Sequence, residues 1–435
     1  MKIVKGFKDI LPYDTGNSDT SFAWTTTTDQ LRQIMKTYNF QEIITPVIEH
    51  DSVFKTGIGE DTDIVSKEMY EFVLERDSST VSKEKILKYC LRPEGTAPII
   101  RSVIENSLSK IKSLNKLFYL GPMFRYERSQ KGRYRMFHQI GAELIGSDEI
   151  LYEVEILNLA KEILTSLSID NYTFQINSIG NNESLKNISK AVSNFGRKNK
   201  DSIDEKDYKI LNKNPLRFLD KAVHNYDFED IPKTIDYLDK KSLKRFNDLT
   251  KILDSFNFKY SINNQLVRGI DYYNDLVFEV TSSNLGAQDA LLAGGRYDSL
   301  MGKFGADESK SIGFAAGIER LILAMKSKNQ ASNSIDFFIV YQQEEMIEES
   351  LRLALRLREV GLSIEVNLLR RSFTKQIKSA DKSLAENIII IGKDNFNNGT
   401  IVVKNMASGI EEIVSLKNNI DFFLKKTKGT PNEKK

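Results

Sequence analysis

The run FYLGPMFRYERSQKGRYRMFHQIGAELIG, residues 118–146, constrains the fold more than any other stretch. Two strand-like segments lie between Leu117 and Gly146, separated by a short charged loop. In a strand, alternate side chains share a face. One face of the second segment then collects Arg135, Phe137, Gln139, Gly141 and Glu143, and one face of the first collects Gly121, Met123, Arg125 and Glu127. Side by side, the two would present arginines, a flat aromatic ring, an amide and carboxylates on one surface, with small residues leaving room above it. Burying such groups without partners costs on the order of several kcal/mol each. The face is therefore either solvated and laced with ion pairs or the wall of a polar site. For an arbitrary charged hairpin the solvated state is the commoner. One Phe and one Gln among the charges weigh against it, but periodicity leaves both readings open.

At 435 residues the chain predicts two or three domains. The boundaries follow changes of texture. A first domain over 1–325 contains a stretch, about 181–262, that is rich in Lys, Asp, Asn and Leu at helical intervals and almost free of glycine, which predicts a helical insertion. The polar run KSKNQASNS (326–334) reads as a linker. Beyond it, over 335–425, IDFFIVY, SIEVN, NIIIIG and TIVVKN read as strands and EEMIEESLRLALRLREVG and SFTKQIKSADKSLA as helices, with a turn at DNFNNG. That alternation predicts a small α/β domain with a mainly parallel sheet. Residues 426–435 read as a frayed lysine-rich tail, and the polar run near 75–88 as a hairpin excursion.

Charge excludes little, because 62 basic residues face 60 acidic ones. A nucleic-acid partner would have to be held by local basic patches. The single cysteine, Cys90, forms no internal disulfide and fits a reducing, cytoplasmic compartment. Three histidines, His50, His138 and His224, without a Cys/His cluster argue against structural zinc. No stretch of about 18 uncharged apolar residues is present, and the N-terminus lacks the apolar core of a signal peptide, so no membrane association is expected.

Other segments carry weaker signals. In SIGFAAGIERLILAM (311–325) a small-residue strand leads into a helix with Ile318, Leu321, Ile322 and Met325 on one stripe. Arg320 near the helix start opposes the helix dipole and calls for an anion, although a snorkelling surface arginine is the commoner case. LVRGIDYYNDLVFEV (266–280) and LLAGGRYDSL (291–300) read generically as an Arg-Gly turn and a Gly-Gly turn.

Taken together, these residues resemble the histidyl-tRNA synthetases, members of the class II aminoacyl-tRNA synthetases. FRYERSQKGRYRMFHQ is similar to class II motif 2, with Ser129 where a proline is common. GFAAGIERL is similar to motif 3, with Ala315 at its first glycine position, and the stretch around Pro46 is similar to motif 1. LVRGIDYY and AGGRYD resemble the two histidine-specific signatures, LRPEGTA (91–97) the amino-acid-binding loop, and KGFKDILP the family's opening, with Lys5 in place of arginine. Ordered matches at compatible spacing weigh far more together than any one alone. The resemblance implies an α+β catalytic domain with a mainly antiparallel sheet flanked by helices, the helical insertion, and a C-terminal α/β anticodon-binding domain.

The resemblance also implies the chemistry. ATP would activate L-histidine to histidyl-adenylate, releasing pyrophosphate, and histidine would pass to the 3′ end of tRNA(His). Arg125, Arg268 and Arg320 would be catalytic. Arg125, Glu127, Arg133, Phe137, Glu319 and Arg320 would bind ATP, with Phe137 and Arg320 on either face of adenine. Glu94, Thr96, Gln139, Glu143, Arg268, Tyr272, Tyr273, Gly294, Gly295 and Tyr297 would hold histidine, the two glycines by letting backbone approach the substrate. The loop from Arg128 to Gly132 would approach the tRNA acceptor end. Mg²⁺ would come with the ATP phosphates, with Glu319 near it, and motif 1 would build a homodimer. His138 falls on the opposite strand face from Gln139 and reads as structural. Two rivals stand beside this: an inactive paralogue regulating histidine biosynthesis, which usually lacks the anticodon domain and the signature arginines, and a tRNA-sensing module.

Overall fold

The computed structural model describes residues 1–13, 20–73, 87–128, 132–221, 225–228, 230–285, 289–325, 335–417 and 420–427. Most of the hairpin excursion, the whole 326–334 run, His224, Ser129 and the end of the lysine-rich tail lie outside them. The chain divides into two compact units, residues 1–328 and 329–435.

In the first unit the strands are β1 (Gln41–Glu42), β2 (Ile48–His50), β3 (Tyr70–Phe72), β4 (Tyr89–Leu91), β5 (Asn115–Phe124), β6 (Met136–Ile145), β7 (Thr173–Ser178), β8 (Ser261–Ile262), β9 (Asn274–Thr281), β10 (Ala290–Arg296) and β11 (Ser311–Gly317). Eight of them form one sheet in the order β1-β5-β6-β11-β10-β9-β7-β8. Only the outermost pairs, β1–β5 and β7–β8, are parallel; all inner pairs are antiparallel. The small sheet β2-β4-β3 stands apart. Pro46 separates β1 from β2, as a residue without an N–H must in a ladder.

Helices cover one face of the large sheet. Helix Ser21–Thr37, capped at Thr20 by a bond from the Ala23 N–H (3.3 Å), buries Leu31, Ile34 and Met35. These meet helix Leu151–Ser166 and the sheet in the largest apolar cluster. The other face, bearing Phe137, Gln139, Glu143, Gly313 and Ala315, stays open as a cavity wall.

The glycine-poor stretch is helical: Asn182–Lys198, Glu205–Lys213, Pro215–Lys221 and Lys240–Ser255. It is not one body. The first three helices share an apolar cluster with Leu266, Val267 and Val277, whereas Phe246, Leu249 and Leu253 of the fourth pack into the main core.

The second unit holds β12 (Phe337–Tyr341), β13 (Ile364–Val366), β14 (Asn387–Ile391), β15 (Thr400–Asn405) and β16 (Glu411–Ser415), in the order β13-β12-β14-β15-β16. The expected mainly parallel sheet is half parallel: β12 runs parallel to β13 and β14, while β14–β15 and β15–β16 are antiparallel. Connection length is the cause. Helices Ile347–Glu359 and Phe373–Lys382 supply crossovers, but the tight turn after β15, with Gly409 at φ 72°, permits only a hairpin. The expected turn at DNFNNG is a short helix, Lys393–Asn397, ended by Gly399 at φ 74°. Helix Ile420–Thr427 occupies the start of the expected tail because Phe423, fully buried, anchors it in the core of this unit.

Candidate active site

A cavity of about 380 Å³, within the usual range for small-molecule sites, opens on the face of β6, β9, β10 and β11. Most of the residues singled out in the sequence line it: Glu94, Thr96, Arg125, Glu127, Arg133, Phe137, Gln139, Glu143, Arg268, Tyr272, Tyr273, Tyr297, Glu319 and Arg320. They reach it from six parts of the chain, brought together by strand pairing. Gly121 pairs with Gln139, Met123 with Phe137, and Glu143 with Gly313.

One group of side chains is buried and internally bonded. Glu143, 1% exposed, accepts the Thr96 hydroxyl on Oε1 (2.6 Å) and the Tyr297 hydroxyl on Oε2. Burial pushes its carboxyl up to about 8, against the two hydroxyl donors, which favour the anion; Glu94 nearby adds to the rise. Glu94 accepts the Thr96 and Ala97 backbone N–H groups (2.8 and 2.9 Å) at the start of helix Thr96–Glu105, yet burial still raises its pKa. Tyr272 packs against Tyr273 (4.7 Å between ring centres) and edge-on to Tyr297 (5.6 Å). Among the described groups, Gln139 Oε1 is buried with no bonding partner. A native fold seldom tolerates such an atom unless a ligand or water completes it.

The other group is cationic. Arg125 donates from Nε to the Pro93 carbonyl (2.9 Å) and lies 5.2 Å from the centre of the Phe137 ring. Glu127 pairs with Arg133 and stands 4.0 Å from Arg125. Arg320 donates to the Gly132 and Ala290 carbonyls (3.3 and 2.7 Å). Burial, then the neighbouring Arg133, lowers its pKa, the response of a cation crowded by cations. Arg268 pairs with Glu279 at 2.6 Å, and its Nε is buried without a partner. Glu319 is clamped: its carboxylate accepts the His138 backbone N–H (3.0 and 3.1 Å) and lies 3.0 Å from His138 Nδ1. His138 faces away from the cavity and rests edge-on to Trp24, so it orients Glu319.

Three placements differ from expectation. Arg135 does not line the cavity; its guanidinium lies 3.9 Å from the Tyr126 ring centre and donates to the Glu127 and Lys5 carbonyls. It precedes β6, where strand alternation no longer applies. Gly294 and Gly295 do not line the cavity either. A Cβ on Gly294 would collide with the Gly313 carbonyl and Phe314, and one on Gly295 would meet Tyr273 (2.9 Å), so protein atoms fill the space they leave. Of the loop expected near the tRNA end, 129–131 lie outside the described residues.

The sequence reading passed over Gly313, Glu279, Arg217 and Asp220. A Cβ on Gly313 would strike the Glu143 carboxylate directly across the ladder. A lone Gly or Glu inside an apolar strand was the available signal for the first two. Helix Pro215–Lys221 offered none.

Comparison with known proteins settles the family. The histidyl-tRNA synthetase family model matches residues 6–321, and an anticodon-binding domain model matches 336–426. The chain belongs to the histidyl-tRNA synthetase family. It is 39% identical to a histidine–tRNA ligase of Microcystis aeruginosa, over 96% of this chain and 94% of that one. With a histidine–tRNA ligase of Francisella tularensis it shares 38%, over 98% and 99%. Among solved structures it resembles apo histidyl-tRNA synthetase of S. aureus at 29% identity and TM-score 0.78, covering 97% of this chain and 99% of that one.

Proposed function

We infer that the chain activates L-histidine with ATP, releases pyrophosphate and transfers histidine to the 3′ end of tRNA(His). The observation that carries this reading is one cavity joining a buried carboxylate–hydroxyl pocket to a set of arginines. Full-length relatives that are histidine–tRNA ligases support it. Both arginine signatures and the C-terminal unit are present, which disfavours the inactive regulatory paralogue.

The chemistry requires the histidine carboxylate to attack the ATP α-phosphate in line. No enzyme nucleophile is needed, so catalysis rests on positioning and positive charge. Arg125 and Arg268 neutralise charge at the α-phosphate. Phe137 stacks beneath adenine with Arg320 opposite, Glu127 and Arg133 border the nucleotide, and Glu319, fixed by His138, lies toward the ribose and phosphates. Glu143, set by Thr96 and Tyr297, pairs with the imidazole between Tyr272 and Tyr273. Glu94 and Gln139 receive the α-ammonium. A pocket that pairs both imidazole nitrogens rejects analogues lacking them.

The cavity wall carries five arginines (Arg125, Arg133, Arg217, Arg268, Arg320) and eight carboxylates, so a bare triphosphate would meet an excess of negative charge. A divalent cation carried by the nucleotide would relieve this, a role that suits Mg²⁺. Among the described residues no three His, Cys, Asp or Glu side chains gather as a metal site. Ile44 and Ile48, 87% and 51% exposed on either side of Pro46, support a homodimer through this edge of the sheet. Cys90 is a buried free thiol, in keeping with the cytoplasm. No helix among the described residues is long and apolar enough to cross a membrane.

The test is amino-acid-dependent exchange of pyrophosphate into ATP without tRNA, across all twenty amino acids. Exchange with histidine alone is expected; none, from folded protein, would return the regulatory paralogue. Removing residues beyond 327 should spare exchange and damage charging.

A further inference from the structure

The helical segment enters the cavity wall at one place, helix Pro215–Lys221. Arg217 and Asp220 line the same cavity as Arg268, Tyr273 and Glu279. Phe218 and Leu219, both fully buried, pack in one apolar cluster with Leu266 and Val267, the two residues that lead into Arg268. The Asp220 carboxylate lies against the backbone that carries Arg268: a Cβ on Gly269 would stand 3.1 Å from Asp220 Oδ2. The helix is tied down from the other side. Arg217 pairs with Asp63, both largely buried, and donates to the Asp61 carbonyl (2.9 Å), while Lys213, at the end of the preceding helix, pairs with Asp61 (2.7 Å).

We propose that Asp220 is a positioning residue for Arg268: its carboxylate fixes the backbone at Gly269 while Glu279 pairs with the guanidinium, and the Arg217–Asp63 ion pair holds the helix that delivers it. The helical segment then serves the first chemical step. The electrostatics agree. Burial would lower the Arg268 pKa, but attraction to Glu279, and further to Tyr273 and Asp220, more than offsets it. A shift of the backbone at Gly269 would carry the guanidinium with it, and a small misplacement at a reacting phosphate is costly in rate. The proposal rests on Arg268 acting at the α-phosphate.

The experiment is histidine-dependent pyrophosphate exchange, without tRNA, on the full chain and on Asp220→Asn, Asp220→Glu and Arg217→Met, each checked for an unchanged melting transition. Asp220→Asn should lower kcat about tenfold with the KM for histidine and ATP held within about twofold, a loss of transition-state contact alone. Arg217→Met should do the same more weakly, and Asp220→Glu should recover most of the rate. Normal exchange in Asp220→Asn overturns the proposal, and if tRNA charging alone falls, the helix serves tRNA instead. An equal loss in Asp220→Asn and Asp220→Glu, or a KM rise without a kcat change, also overturns it. Should the unaltered chain show no exchange with histidine, the reading of Arg268 fails first, and the two failures are distinguishable.

Discussion

The two groups of side chains in the cavity are built on opposite plans. Around Glu143 most polar atoms are matched within the protein: Thr96 and Tyr297 donate to it, and Glu94 is held by backbone N–H groups, with Gln139 Oε1 the exception. Around Arg125, Arg133, Arg268 and Arg320 the cations lean on carbonyls and single carboxylates, and Arg268 Nε has no partner. The first group is preorganised for a small neutral or cationic ring. In the proposed function the second is a set of cations that would exchange these contacts for phosphate oxygens when a nucleotide arrives. Specificity should therefore reside in the first and rate in the second.

The sharpest way to break this contrast is Arg268→Ala. Adenylate formation should fall by about a thousandfold, the scale of removing one transition-state donor, with little change in melting temperature. A large KM effect with kcat intact would place Arg268 in binding instead. Next in size is Tyr297→Phe, which strips one donor from Glu143. The KM for histidine should rise about tenfold while the KM for ATP stays level, because a buried acceptor is left unsatisfied. An equal rise in both would dissolve the division.

Smallest is a pH effect. Glu143 holds its proton up to about 8 in the fold, against an ordinary value of 4.5. Between those values the folded state binds the extra proton, so the stability it contributes is full below the lower value and lost as pH rises through the upper one. Glu143→Gln removes this contribution. Measured melting temperatures should then fall less steeply for the variant than for the parent between about pH 5 and about pH 8.5. Parallel slopes would mean that Glu143 is ionised in the empty site.

Much of the fold was legible because it is local. Alternation over Leu117–Gly146 is satisfied by β5 and β6, and the strand-to-helix switch at Ile318 matches the change of period in IGFAAGIERLIL. The second sheet was less legible. Its strands read correctly as far as TIVVKN, but β16, with the polar pattern EEIVS, sits at an edge where little apolar surface is buried and periodicity is faint.

Residue type and spacing alone determined that Phe137, Gln139 and Glu143 would share one sheet face, since a strand has no other way to dispose alternate side chains. The choice of neighbours was left to tertiary structure. Only cross-strand register seats Gly313 against Glu143, only the fold carries Asp220 to the Arg268 segment, and only packing fills the space left by Gly294 and Gly295. Those contacts join residues dozens of positions apart, and whether a polar group is matched by protein or left for a ligand depends on atoms that no short window of sequence contains.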